Sequence, residues 1–157
     1  MRSAKFHALI LSLFAAASAW AMDTSNPEPK EPKDPKLEQA RTAIGNKDWV
    51  RAQEAMRALV ARNPQNADYH NLFAYSMRMG PKPSMDLVFR HYNEALRLDP
   101  KHRGAHEYIG EAYLMSGNVA KAKEHLAQLD RLCTFGCEEY TKLKKGIAAY
   151  EHQHAKK

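Results

Sequence analysis

Apolar residues recur every three or four positions through most of the chain from Leu37 onward, which is the period of an α-helix. Alanine, leucine, lysine, arginine and glutamate dominate this part of the chain, and all of them favour helices. The pattern is interrupted at five points that contain proline or glycine: Asn63-Pro64, residues 80–83, Asp99-Pro100, Gly117-Asn118 and Phe135-Gly136. It therefore predicts an all-α domain of short helices joined by turns.

Two of these interruptions share their chemistry and have a regular spacing. Asn63-Pro64 and Asp99-Pro100 each place a proline after a polar residue, and the two prolines are 36 residues apart. Proline lacks an amide hydrogen and cannot continue the preceding helix, so both pairs should end a helix. A period of this size is typical of helical repeat proteins, in which neighbouring repeats share one continuous core.

Residues 103–132 resemble a tetratricopeptide repeat, in which two antiparallel helices carry small or apolar residues at fixed places. Gly110 and Ala122 would let the two helices approach closely, and Gly117 would make the turn between them. The positions that match the family pattern are Ile109-Gly110, Tyr113, Gly117, Ala122 and Leu126. This is the strongest copy of the motif in the chain.

The resemblance implies an α-solenoid of about three helix pairs with a capping helix. Two weaker copies, at about residues 37–66 and 67–100, precede the third copy at 103–136. A further helix is predicted at 138–152, where one stripe carries the apolar residues Tyr140, Leu143, Ile147 and Tyr150. Such a helix is needed because the last repeat of a solenoid otherwise leaves apolar surface exposed.

The start of the chain, residues 1–21, predicts a secretory signal peptide. Its features are the basic residues Arg2 and Lys5, the apolar run 8–17 and the small-residue motif Ala19-Trp20-Ala21. Ten apolar residues are too few to span a bilayer as a helix. The alternative interpretation is a buried N-terminal helix. We expect export to the periplasm, or secretion, after cleavage near Ala21.

Composition indicates a linker and narrows the class of partner. Residues 22–36 contain four prolines among charged residues, which predicts a disordered linker. The whole chain has a formal net charge of +6, but its basic residues form no run of five, so we expect no nucleic-acid partner. No later stretch is apolar and long enough for stable membrane insertion.

Cys133 and Cys137 are the only cysteines and lie four residues apart. In an exported protein two cysteines usually pair, and Gly136 between them can turn the chain inward. We therefore predict a disulfide that clips the turn between the third repeat and the capping helix. The alternative is a redox or metal-binding role, although the spacing is not the C-x-x-C of thioredoxin-like proteins.

The histidines support the same alternative, a small metal- or thiol-handling protein. His102 and His106 are four residues apart, a spacing that can chelate a metal on one helix face, and His125 precedes Cys133. His152 and His154 follow near the end of the chain. Core packing is the more common role for such residues, so we predict no metal site and no cofactor.

Motifs of catalysis are missing from the sequence, and we predict that the protein is not an enzyme. In tetratricopeptide arrays the first helix of each repeat lines a groove that binds an extended peptide or a partner helix. Carried over by register, the groove residues are Arg41, Asn71, Tyr75, Arg78, Glu107, Glu111, Leu114 and Met115. The resemblance implies an adaptor or assembly factor of the cell envelope, with a protein or peptide as its partner.

Overall fold

The computed structural model describes residues 34–155, so the predicted signal peptide and most of the predicted linker lie outside the described residues. Within this range the chain forms helices and turns, and no strand. The helices are α1 (Pro35–Gly45), α2 (Trp49–Arg62), α3 (Ala67–Arg78), α4 (Met85–Leu98), α5 (Arg103–Met115), α6 (Val119–Leu132) and α7 (Glu138–His154). The prediction of an all-α fold is confirmed.

Consecutive helices pack as three pairs, α1 with α2, α3 with α4 and α5 with α6, which we call repeats 1, 2 and 3. Each pair also packs against the next, through α2 with α3 and α4 with α5. The last helix, α7, packs on both α5 and α6 and closes the array. This is the expected solenoid of three helix pairs with a capping helix. None of the described helices has the length and apolar character needed to cross a bilayer.

Short polar side chains start most of these helices. Asp34, Asp48, Asn66 and Asn118 each accept a hydrogen bond from a backbone N–H in the first turn of the helix that follows. At the turn of repeat 3, Gly117 has a φ of 76°, which glycine adopts without strain. The turn of repeat 2, between α3 and α4, is longer and contains Pro81 and Pro83.

Two predicted boundaries are wrong. The linker was expected to reach Lys36, but α1 begins at Pro35 with Asp34 as its N-cap. Proline is well tolerated at the first position of a helix, because its missing N–H has no partner there in any case. The capping helix was expected to end at His152, but α7 continues to His154, whose Nδ1 lies 2.7 Å from the carbonyl oxygen of Tyr150.

The core has two parts. The larger spans all three repeats and includes the fully buried Met56, Leu59, Val88, Tyr92 and Ile109. The smaller lies under α7 and joins Leu114, Ala122, Leu129, Leu143 and Ile147. These are the residues that attach the capping helix to repeat 3.

Gly110 has a role that the sequence did not predict. A Cβ atom at this position would lie 2.6 Å from Cδ2 of Leu143, on α7. The glycine therefore makes room for the capping helix.

Candidate protein-binding surface

Three partly exposed aromatic rings lie together across repeats 1 to 3, and we call Trp49, Tyr75 and Tyr108 the aromatic surface. The ring centroids of Tyr75 on α3 and Tyr108 on α5 are 4.7 Å apart. Trp49, the first residue of α2, meets Tyr75 edge-on with centroids 6.0 Å apart. Only Tyr75 of these three was predicted as a groove residue.

Arg78 lies beneath the aromatic surface and is buried. Its Nη2 donates to Glu111 Oε2 over 2.7 Å, and its Nε donates to the hydroxyl oxygen of Tyr92 over 3.3 Å. The guanidinium carbon lies 5.5 Å from the ring centre of Tyr75 and 5.9 Å from that of Tyr108. Arg78 therefore supports the two tyrosine rings from below, and it is buried where the predicted groove would have exposed it.

Other predicted groove residues do reach the surface. Met115 is 55% exposed and its Sδ lies 3.7 Å from Nη1 of Arg78, so it borders the aromatic surface. Glu111 is partly exposed, but its carboxylate is engaged by Arg78. Arg41 on α1 is exposed and forms an ion pair with Glu38 at 3.2 Å.

Three predicted groove residues are buried, which corrects the predicted groove. Glu107 and Leu114 are 4% and 9% exposed, because the capping helix covers this side of α5. Asn71 is 5% exposed, and its Oδ1 has no hydrogen-bond partner within the described part of the chain. Register within a repeat places a residue on a helix, but it does not show which neighbouring helix covers that residue.

The buried carboxyl group of Glu107 has an unusual titration. Burial raises the pKa of Glu107 to about 7, and Lys142 on α7 opposes this rise. Lys142 Nζ lies 4.0 Å from the Glu107 carboxylate but only 2.7 Å from that of Glu138, which is its closer partner. The protonated and the charged forms of the Glu107 carboxyl group are therefore present in similar amounts near neutral pH.

Two histidine pairs connect the helices of repeats 2 and 3. Nδ1 of His70 lies 2.8 Å from Nδ1 of His91, and Nδ1 of His106 lies 2.9 Å from Nδ1 of His125. For His106 and His125 the sequence left core packing and metal binding open and did not predict that they pair, and it indicated no role for His70 and His91. The sequence does contain a signal for the first histidine of each pair. His70 lies six residues after Pro64, and His106 lies six residues after Pro100.

The geometry around the histidines gives no support to a metal site. His102 caps α5, with Nδ1 accepting from the N–H of Ala105, and its Nε2 lies 3.0 Å from Asp68. In the described part of the chain, no three His, Cys, Asp or Glu side chains form a group that could hold a metal ion. Tetrahedral zinc keeps its nitrogen ligands about 3.3 Å apart, since each bond is about 2.0 Å, so the paired Nδ1 atoms are too close.

Cys133 and Cys137 lie at the turn between α6 and α7, as predicted from their position. Their Sγ atoms are 2.08 Å apart and their Cα atoms 5.6 Å apart. This Cα separation falls within the range of disulfides. That the two cysteines form a disulfide in the cell stays a prediction.

Comparison with known proteins shows both the family and the fold. The model of the tetratricopeptide repeat family matches residues 37–76 and 90–135, which is more than half of the chain. A search of curated proteins found no match.

Among solved structures, the chain is similar to the type III secretion translocator chaperone SycD of Yersinia enterocolitica. The TM-score is 0.66 at 16% identity, over 75% of this chain and 90% of that one. It is also similar to the TPR2B domain of yeast Sti1 in complex with pHsp70, with a TM-score of 0.65 at 19% identity, over 76% and 95% of the two chains. The CopN–Scc3 complex contains a further match, with a TM-score of 0.59 at 19% identity, over 87% and 80%.

At these identities the solved structures show the fold alone, and the family assignment depends on the repeat pattern of the sequence. The repeat pattern of the sequence agrees with the three helix pairs and the capping helix of the structure. The chain belongs to the tetratricopeptide repeat family.

Proposed function

We propose that this protein is a scaffold that binds an extended segment of another protein across the aromatic surface. The observation that carries the proposal is the cluster of Trp49, Tyr75 and Tyr108, which stays partly exposed although its rings touch one another. Exposed aromatic side chains supply much of the binding energy at protein interfaces, because they bury large apolar areas and lose little conformational entropy. Proteins of the same fold include a chaperone and members of two protein complexes, which supports a protein partner.

The charge of the surface indicates the chemistry of the partner. A carboxylate of the partner would have to compete with Glu111 for Arg78, across an ion pair of 2.7 Å. Exposed Met115 extends the apolar character of the site beside that ion pair. We therefore infer that the bound segment contributes apolar side chains, which pack on the rings, and that it is not recognised through an acidic end.

The proposed place of action is the cell envelope, where the protein would serve as an adaptor or assembly factor. The support is the order of basic, apolar and small residues in 1–21, together with the two cysteines at bonding distance. Intact-mass analysis of the exported protein tests both points. We expect a chain that starts at Met22 and a mass two hydrogen atoms below that of the dithiol form. A chain that retains residues 1–21, or two alkylatable thiols, would contradict this part of the proposal.

Peptide selection tests the binding surface directly. Purified protein is used to select binders from a library of random eight-residue peptides, and affinities are then measured by fluorescence anisotropy. Tyr75→Ala and Tyr108→Ala should each weaken binding at least about tenfold, as expected for residues at the centre of an interface. Tyr150→Ala, on the capping helix and in contact with His154, is the matched control and should bind normally.

Two outcomes separate a wrong surface from a damaged fold. Circular dichroism should show the same helix content for all three variants. If Tyr75→Ala and Tyr108→Ala are folded and bind the selected peptides as tightly as the unchanged protein, the aromatic surface is not the binding site.

A further inference from the structure

The two histidine pairs repeat one arrangement at equivalent places in repeats 2 and 3. Besides the contact between the two Nδ1 atoms, Nε2 of His70 lies 3.0 Å from the carbonyl oxygen of Pro64. Nε2 of His106 lies 3.1 Å from the carbonyl oxygen of Pro100. In each pair the first histidine is thus fixed to the turn before its helix, and the second lies on the other helix of the same repeat.

These contacts fix the positions of the protons. A carbonyl oxygen only accepts, so Nε2 of His70 and of His106 must carry a hydrogen. When the ring is neutral, its Nδ1 is then an acceptor, and the hydrogen between the two Nδ1 atoms belongs to His91 or His125. Each pair can take up one further proton and keep its hydrogen bond, because the doubly protonated ring then donates to the neutral one.

A second additional proton cannot be accommodated. Both Nδ1 atoms would then carry a hydrogen and face each other, and two positive rings would lie with nitrogen atoms less than 3 Å apart. The hydrogen bond that joins the two helices of the repeat would be replaced by repulsion. Each pair is therefore stable in two protonation states and incompatible with the third.

We propose that the two histidine pairs form a proton-sensitive device that joins the helices of repeats 2 and 3 at neutral pH and loosens them in acidic surroundings. His70 lies on α3 with Tyr75, and His106 lies on α5 with Tyr108. Loosening these helices would disturb the aromatic surface, so acid would release a bound partner. This last step rests on the proposed function, whereas the effect on the fold does not.

The surroundings of the first pair oppose its full protonation. His70 is buried, and burial lowers the pKa of His91, with further lowering from His70 and from Arg90. Glu94 is the nearby carboxylate, but it is held by Arg97 at 2.7 Å. Phe73 packs edge-on against His91, with centroids 4.8 Å apart. A cleft of about 260 Å³ lined by His70 and His91 gives the pair access to solvent protons.

The second pair is more strongly shielded. Burial, followed by the nearby His106, lowers the pKa of His125 to about 4. Burial also lowers the pKa of His106, and His102 and Arg131 add to this while the carbonyl of Pro100 and Asp99 oppose it. The ring of Tyr113 stacks on His125 with centroids 5.6 Å apart. Near His125, Glu124 opposes the lowering of the His125 pKa and Lys121 adds to it, and the two side chains form an ion pair at 2.7 Å.

The sign of the pH effect follows from these pKa values. Between about pH 6.5, where an unfolded histidine titrates, and about pH 4, the unfolded chain binds more protons than the folded one. The free energy of unfolding therefore falls as the pH falls through this range, and it is constant with respect to His125 above it. Carboxylates contribute their own pH dependence, so a variant must isolate the histidines.

The test compares the full protein with His125→Gln, which keeps a hydrogen-bonding side chain but cannot become charged. Urea unfolding at pH 7.5 and pH 4.5 gives the folded-to-unfolded ratio of each protein. From pH 7.5 to 4.5 the ratio of the unchanged protein should fall at least about tenfold more than that of His125→Gln. His152→Gln, at an exposed position of α7, is the control and should follow the unchanged protein. Equal falls for the unchanged protein and His125→Gln would overturn the proposal.

A second measurement needs no variant and covers the case in which His125→Gln does not fold. Nitrogen-15 NMR of the imidazole groups reports the tautomer and the pKa of each histidine. We expect His70 and His106 to carry hydrogen on Nε2 at neutral pH and His125 to be still mostly neutral at pH 5. Ordinary titration of His91, His106 and His125 near pH 6.5 would contradict the device.

Binding is measured separately, with a selected peptide that has no titratable side chain, at pH 7.5 and pH 4, where His125 begins to take up its proton. If binding is weaker at pH 4 and the substitution His125→Gln reduces this weakening, the regulatory step is supported. If no peptide binds at either pH but the histidines titrate as expected, the proposed function is wrong and the device stands. If binding is tight at both pH values and the histidines titrate normally, the proposed function stands and the device is wrong.

Discussion

The two sides of α5 have opposite environments although their residues alternate along one short helix. Glu107 and Leu114 are buried under α7, whereas their immediate neighbours Tyr108 and Met115 belong to or border the open aromatic surface. Register within the repeat had placed Glu107, Leu114 and Met115 together in one groove. The difference teaches that the binding surface of a short array is what its capping helix leaves uncovered.

The two sides also differ in what stabilises them. The covered side contains apolar contacts to Leu143 and Ile147, together with one carboxyl group that titrates near neutral pH. The open side carries aromatic rings supported by a neutralised ion pair between Arg78 and Glu111. Changes in packing or pH should therefore alter the contribution of the covered side to the free energy of unfolding. Changes in charge pairing should alter the contribution of the open side. Three predictions test this contrast.

The largest effect is expected from Leu143→Ala, which removes the main contact between α7 and Gly110. The side chain is fully buried, so its loss combines a transfer term with a cavity and should lower the free energy of unfolding by about 3 kcal/mol. Urea unfolding measures this change. Lys145→Ala, at an exposed position of the same helix, should change the stability by less than about 0.5 kcal/mol. Equal effects of the two substitutions would show that α7 is not docked through Leu143.

A smaller effect is expected from Glu107→Gln, and it depends on pH. Because the pKa of Glu107 is raised to about 7, the folded protein binds more protons than the unfolded chain between about pH 4.5 and 7. Stability should therefore fall as the pH rises through this range. Between pH 5 and pH 8 the unchanged protein should lose about 2 kcal/mol that Glu107→Gln does not lose. The same loss in both proteins would show that Glu107 is not the responsible group.

The smallest contribution to the free energy of unfolding is expected from the interaction between Arg78 and Glu111. Arg78 is buried but Glu111 is about one-third exposed, so solvent weakens the pair relative to a fully buried one. A double-mutant cycle with Arg78→Met and Glu111→Gln should give a coupling energy of about 1 kcal/mol in urea unfolding. Additive effects would mean that the pair does not support the aromatic surface, and Arg78 would again be a candidate ligand group.

Sequence reasoning predicted the helices because their signals are local. Helical periodicity and the prolines that follow α2 and α4 act within a few residues. The start of α1 was missed because Pro35 was read as a helix breaker, although proline suits the first turn.

The features that escaped prediction depend on contacts between helices. The role of Gly110 and the burial of Glu107 follow from the position of α7, which no local pattern encodes. Within the histidine pairs the separations differ, 21 residues from His70 to His91 and 19 from His106 to His125. The longer turn of repeat 2 accounts for this difference, so no single spacing marked both pairs.

The position of α7 also sets a limit on what the aromatic surface can recognise. Since α7 closes the array, the aromatic surface lies on three successively packed helices of the described residues, namely α2, which carries Trp49, α3 and α5. Neighbouring packed helices lie about 8–10 Å apart, so these three span about 20 Å. An extended chain advances about 3.3 Å per residue, and about six residues cross that distance. The capping helix thus limits the length of the aromatic surface. Under the proposed function, specificity must be encoded in a motif of about six residues.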